Sequence, residues 1–174
     1  MAPPSANDLV KRGVESAVKK DYGQALVDFN EAIKLDPKMA MAYNNRGLIQ
    51  SKLKNYAAAV RDYNSALAID PNYAAAYNNR GNAYDELQMY ERAKNDYDHA
   101  IALSPQEAAG YINRALAYFK VGQVDRAIAD YSTAIQLDPN DPTTYMHRAE
   151  AYEKRLDTEL AQADRARARQ LTGK

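Results

Sequence analysis

The chain has 174 residues, with 23 Lys+Arg against 23 Asp+Glu, so its formal net charge is zero. That balance excludes the basic excess of a dedicated nucleic-acid binder, and the absence of cysteine excludes disulfide staples, thiol catalysis and zinc–thiolate sites. No apolar run approaches the roughly 18 residues of a membrane-crossing helix, so no membrane insertion is expected.

The opening MAPPSAN lacks a signal-peptide core. The expected compartment is therefore the cytoplasm, or the periplasm if a leader has been removed. Residues 1–5 read as a disordered tail. From Ala6 a 34-residue register runs through 6–39, 40–73, 74–107, 108–141 and 142–174, which predicts one array over 6–174. Ala40–Tyr73 matches Ala74–Glu107 at 15 of 34 places.

Within each unit, apolar and small residues recur at spacings of three, four and seven, which is a helical period. Each unit therefore predicts two helices of about 12–14 residues and a short turn. Tyr77–Glu86 and Tyr90–Ala102 are the pair in the third unit. Gly13, Gly47, Gly81, Ala115 and Ala149 share one phase, where helices approach closely. Phe29, Tyr63, Tyr97 and Tyr131 fill the space between them. Asp36-Pro37, Asp70-Pro71, Ser104-Pro105 and Asp138-Pro139 read as a helix cap followed by proline at the first helical position. The last helix, near Thr158–Leu171, carries Thr158 and Arg165 at otherwise apolar phases, as a polar end cap does.

Arg12, Arg46, Arg80, Arg114 and Arg148 hold one phase, and Asp28, Asp62, Asp96, Asp130 and Asp164 another, 16 residues later. The pattern is either a ladder of ion pairs tying helices together or two separate solvated stripes.

The pattern of small, aromatic and proline positions resembles the tetratricopeptide repeat family over essentially the whole chain. Departures are Tyr or Leu at the family's first-helix Trp, and a turn glycine kept only as Gly122. The resemblance implies an all-α, right-handed superhelical solenoid of antiparallel helix pairs. It also implies a concave groove lined by the first helix of each unit.

In that orientation the groove would carry Asn7, Val10, Val14 and Ala17, then Met41, Asn44, Asn45, Leu48 and Ser51, then Asn78, Asn79, Asn82, Asp85 and Glu86. Further on come Ile112, Asn113, Leu116 and Phe119, then Met146, His147 and Glu150. Asn45, Asn79 and Asn113 share one phase with His147. An amide both donates and accepts, so it pairs with a peptide backbone whatever the side chains. The alternative is that these amides bond their own neighbours or water. The two-carboxylate clamp that some family members use for chaperone tails is not expected, because only Asn45 matches it.

The two histidines, His99 and His147, are far apart, and no metal-ligand spacing, phosphate loop or nucleophile motif is present. No enzyme, cofactor or metal is expected. The predicted function is a protein–protein interaction scaffold that takes a protein or peptide ligand. The rival is a homo-oligomer formed through the apolar first helix, Asn7–Lys20. The varied surface points to a natural, bacterial chain.

Overall fold

The computed structural model describes residues 3–173, and every element among them is an α-helix. In chain order these are α1 (Ala6–Val18), α2 (Tyr22–Leu35), α3 (Ala40–Lys52), α4 (Tyr56–Ile69) and α5 (Ala74–Glu86). They continue as α6 (Tyr90–Leu103), α7 (Ala108–Lys120), α8 (Val124–Leu137), α9 (Pro142–Lys154) and α10 (Thr158–Thr172). The chain divides into two compact units, one ending at Met89 and one beginning at Tyr90. In the first, α1 pairs with α2 and α3 with α4, and α5 packs on α4. In the second, α6 packs on α7, α7 pairs with α8 and α9 with α10. Within each unit successive first helices also touch, α1 with α3, α3 with α5, and α7 with α9.

Close approach at the small phase makes this packing possible. A Cβ at Gly13 would stand 2.7 Å from the Phe29 ring, and one at Gly47 would stand 2.7 Å from the Tyr63 ring. The ring is fully buried in each pair. Removing such a side chain from water contributes about 1.5–3 kcal/mol. The tyrosine surplus has a second cause. In the second unit the hydroxyls of Tyr111 and Tyr145 donate to the carbonyls of Pro105 and Pro139, each at 3.3 Å, so the phenol closes the turn ahead of its own helix.

The arginine and aspartate phases meet, and at Arg46, Arg114 and Arg148 they form bidentate pairs. Arg46 Nε and Nη2 donate to the two oxygens of Asp62 at 2.9 and 2.5 Å. Arg114 reaches Asp130 at 2.7 and 2.8 Å, and Arg148 reaches Asp164 at 2.8 Å twice. Arg12 donates to one oxygen of Asp28 at 3.0 and 2.6 Å. The Arg12 hydrogen bonds hold the Asp28 carboxyl below the usual carboxylate range, against the opposing effect of burial.

The same arginines also reach back 16 residues. Arg46 Nη1 donates to Asn30 at 2.7 Å, Arg80 Nη1 to Asn64 at 2.6 Å, Arg114 Nη1 to Asp98 at 2.6 Å and Arg148 Nη1 to Ser132 at 3.0 Å. Arg46, Arg114 and Arg148 therefore each clasp the second helix of their own repeat and that of the repeat before. Each also lies 5.5–5.9 Å over the ring of the tyrosine three residues earlier.

The Asp-Pro dipeptides differ from their expected role. Asp36, Asp70 and Asp138 close α2, α4 and α8, and the next helix starts several residues later. Proline drives the residue before it out of the helical region, and these aspartates are extended, with φ near −130°. Their carboxylates accept from the N–H two residues on, at 3.0–3.1 Å, as in an Asx turn. The proline that does open a helix is Pro142, capped by Asp141, which accepts from the N–H groups of Thr143 and Thr144.

The expected tail lies partly outside the described residues, which exclude Met1 and Ala2. Ser5 is ordered by a capping box with Asp8 at the start of α1. Lys174 also lies outside them. In the end cap, Arg165 forks onto the Glu153 carboxylate of α9. The third-repeat first helix begins at Ala74 rather than Tyr77, because Ala74–Ala76 are strong helix formers.

The turn phase of Gly122 is left-handed in four further repeats, at Lys20, Lys54, Gln88 and Leu156, with φ from 60° to 70°. Only the repeat with Gly122 has glycine there, so the other four carry backbone strain.

Candidate functional site

Two of the first-unit asparagine phases converge at the contact of α3 and α5. Asn44 is buried, with 4% of its surface exposed. Its Oδ1 accepts from Asn79 Nδ2 at 3.0 Å, and its own amide nitrogen points to Asn45 Oδ1 at 3.5 Å, a long contact. Three amides are thereby wired in series, Asn79 to Asn44 to Asn45. The wire fixes its own ends: the nitrogen of Asn45 is left as a donor and the Oδ1 of Asn79 as an acceptor. Asn44 is interior, a support for its two neighbours. Asn45, Asn78 and Asn79 are half-buried, and Asn82 is exposed on α5.

Beside the wire, α3, α4 and α5 enclose a cleft of about 270 Å³. Leu48, Ser51 and Lys52 line it from α3, Tyr56 and Tyr63 from α4, and Asn79, Asn82, Ala83 and Glu86 from α5. Tyr63 Oη and Ser51 Oγ lie 3.3 Å apart. Burial pushes the Tyr63 phenol up to about 12, so the hydroxyl stays protonated at neutral pH. Partial burial, then a hydrogen bond to Glu86, also raises the Tyr56 phenol.

In the second unit the corresponding residues are packed more apolarly. Ile112, Leu116 and Phe119 rest half-buried on a cluster of Ala115, Ala127, Ile128, Tyr131 and Ala151. Lys154 Nζ sits 4.8 Å over the Phe119 ring. Asn113 is half-buried on α7. His147 lies with its ring centroid 5.9 Å from that of Tyr131, and its Nδ1 is enclosed without a hydrogen-bond partner. Met146 is exposed and faces a cleft of about 280 Å³ with Pro142, Thr143, Ala168, Arg169 and Thr172.

Val10 departs from its expected place in a groove. It is 3% exposed and belongs to the core of the first unit with Leu9, Ala25 and Phe29. In α1 both aliphatic residues turn onto the core shared with α2 and α3. Val14 and Val18 of the same helix remain exposed, at 41% and 79%.

Comparison with known proteins fits this geometry. A family model described as "TPR repeat" matches residues 19–54 and 116–155, and one described as "Tetratricopeptide repeat" matches 40–73 and 74–107. The chain belongs to the tetratricopeptide repeat family. Tetratricopeptide repeat protein 36 of Xenopus tropicalis is 49% identical over 41 residues, which are 24% of this chain and 20% of that protein. The match thus spans about a fifth of the curated relative's length. Among solved structures, MamA 41-end from Desulfovibrio magneticus RS-1 superposes with a TM-score of 0.86 at 19% identity, covering 99% of this chain and 97% of that chain. YrrB, described as a TPR protein with an unusual peptide-binding site, superposes with a TM-score of 0.74 at 17% identity, covering 96% and 86%. At these identities the likeness is one of fold.

As a tetratricopeptide array the chain places the residues expected there on its first helices, Ser51 and Glu86 of the cleft among them, and the cleft adds Tyr56 and Tyr63 from α4. The signal for the cleft was in the register: Ser51 stands two repeats before Phe119, the one ring at a phase that otherwise holds Ala17, Ser51, Asp85 and Glu153. Among the described residues no group of three or more His, Asp or Glu is placed to hold a metal, and no helix is long and apolar enough to cross a membrane.

Proposed function

We propose that this chain is a protein-interaction scaffold whose first helices hold an extended peptide segment of a partner protein. The observation that carries the reading is the amide wire, with a donor at Asn45 and an acceptor at Asn79. A peptide unit has one N–H and one C=O, so it complements those two ends without regard to sequence. Asn78 and Asn82 flank the wire, and Leu48 supplies an apolar contact beside it. In the second unit Asn113 and His147 continue the phase, and Ile112, Leu116, Phe119 and Met146 offer apolar surface for anchoring side chains. The peptide-binding site in the description of YrrB supports the same reading by fold analogy.

The test is selection of ligands from a displayed peptide library with the full chain, followed by affinity measurement on Asn45→Ala and Asn79→Ala. A neutral hydrogen bond contributes about 0.5–1.5 kcal/mol net, so each substitution weakens binding about two- to tenfold. Unchanged affinity in the double variant contradicts the reading.

The exposure of Val14 and Val18 favours a second reading, self-association through α1. Light scattering over a hundredfold concentration range decides it: a rising mass that Val18→Glu abolishes supports association, and a constant monomer mass refutes it.

A further inference from the structure

The cleft of the first unit can be compared with a filled version of itself in the same chain. Two repeats on from Ser51, Tyr56, Tyr63 and Glu86 stand Phe119, Val124, Tyr131 and Lys154. There the Phe119 ring packs on the Tyr131 cluster and is covered by the Lys154 ammonium at 4.8 Å. In the first unit, serine replaces that phenyl group and about 270 Å³ stays open. The second unit shows that this frame admits an aromatic ring at this phase, where the other repeats carry Ala17, Ser51, Asp85 and Glu153.

The floor of the open cleft adds a chemical requirement. Ser51 and Tyr63 bring two hydroxyls within 3.3 Å. One proton serves the bond between them, and the second O–H is left to donate. Leu48 and Ala83 give apolar wall, Asn79 and Asn82 give neutral polar wall, and the two charged residues at the cleft, Lys52 and Glu86, are of opposite sign. No counter-charge lines the floor, so a charged tip would lose hydration without compensation. A ring with a neutral hydrogen-bonding tip meets both demands.

We propose that the α3–α4–α5 cleft receives a tyrosine side chain of the bound segment. Its ring takes the place that Phe119 fills in the second unit, and its hydroxyl bonds Ser51 Oγ, which the buried Tyr63 hydroxyl backs. The inference rests on the scaffold reading above and names the side chain that the first unit selects.

The probe is N-acetyl-L-tyrosinamide, titrated into the ¹⁵N-labelled full chain. Saturable shifts are expected at the Ser51 and Ala83 amides. N-acetyl-L-phenylalaninamide should bind about fivefold more weakly, because one hydrogen bond is lost, and N-acetyl-L-leucinamide more weakly still. Ser51→Phe should abolish the shifts by filling the cleft from within. The double variant Ser51→Ala with Tyr63→Phe should keep the space and bring the tyrosine and phenylalanine probes to equal affinity. Phe29 holds the Tyr63 phase in the first repeat, so that core tolerates phenylalanine. Equal affinity of all three probes in the unaltered chain, shifts that survive Ser51→Phe, or no saturable shift at Ser51 and Ala83 would each overturn the proposal. A library-selected peptide lost in Asn45→Ala but undiminished in Ser51→Phe would overturn the tyrosine cleft and leave the scaffold reading standing.

Discussion

The two units share one frame and differ in what that frame encloses. Each has the bidentate arginine–aspartate pairs, the same buried-ring phase and a left-handed turn between the helices of a pair. In the first unit Ser51 leaves a polar-floored cleft beside an amide wire, whereas in the second Phe119 fills the matching phase and rests on the core. Conserving the frame while changing one residue per repeat is how a repeat array varies its surface without renegotiating its fold.

The comparison can be broken most severely at Phe119. Phe119→Ser should cost about 2–3 kcal/mol, less than the roughly 3–5 of a fully buried phenylalanine, because Phe119 is half-buried. Ser51→Phe should change stability by less than about 1 kcal/mol, since it fills existing space. Urea midpoints of the two variants check this. A Ser51→Phe loss as large as that of Phe119→Ser would mean the two sites are not equivalent.

The shared frame predicts the opposite behaviour, namely equality. Asp62→Asn and Asp130→Asn should each destabilise by about 1.5–3 kcal/mol, as expected for hydrogen bonds to a charged group. Their aspartates are similarly buried, at 6% and 7% exposure, and a marked inequality would show that the clasp differs between units.

Asn79→Ala should cost about 1–2 kcal/mol, because it leaves the buried Asn44 oxygen unsatisfied. Asn45→Ala should cost less than that.

Next come the turns. Leu156→Gly should stabilise by about 1 kcal/mol by relieving a left-handed, 87% exposed leucine, and Gly122→Ala should destabilise by a similar amount. Thermal melting of both variants checks the sign.

The smallest expected effect is on pH dependence. Asp28 has a carboxyl held low in the folded state by Arg12. Its contribution is therefore complete above the ordinary aspartate pKa of about 3.9 and is lost as pH falls through the lower folded value. Asp28→Asn should flatten the acid limb of a stability–pH curve, and an unchanged limb would assign the acid sensitivity elsewhere.

Much of the frame was legible because it repeats. Gly47 against Tyr63, and Arg46 against Asp62, recur at fixed phase; the separation of 16 admitted an ion-pair ladder or two separate stripes, and the Arg46–Asp62 bonds decide for the ladder. The backward arm of the clasp was not legible, since its acceptors are Asn30, Asn64, Asp98 and Ser132 and share only the ability to accept. The Asp-Pro dipeptides misled because a capping aspartate and an Asx-turn aspartate are the same residue type, and only the backbone separates them. Of the site, the asparagine phase was visible, but the burial of Asn44 was not. Adjacent residues on a helix face different ways, and which one turns inward depends on where α5 lies. The cleft needed a distance between helices that no single repeat encodes.

The most direct test of the scaffold reading is the side-chain amide spectrum of Asn45 and Asn79 in the ¹⁵N-labelled full chain, recorded with a library-selected peptide. Both resonances should shift and saturate together with the backbone amides of Ser51 and Ala83. Saturable binding that leaves the Asn45 and Asn79 amides unmoved would contradict that reading.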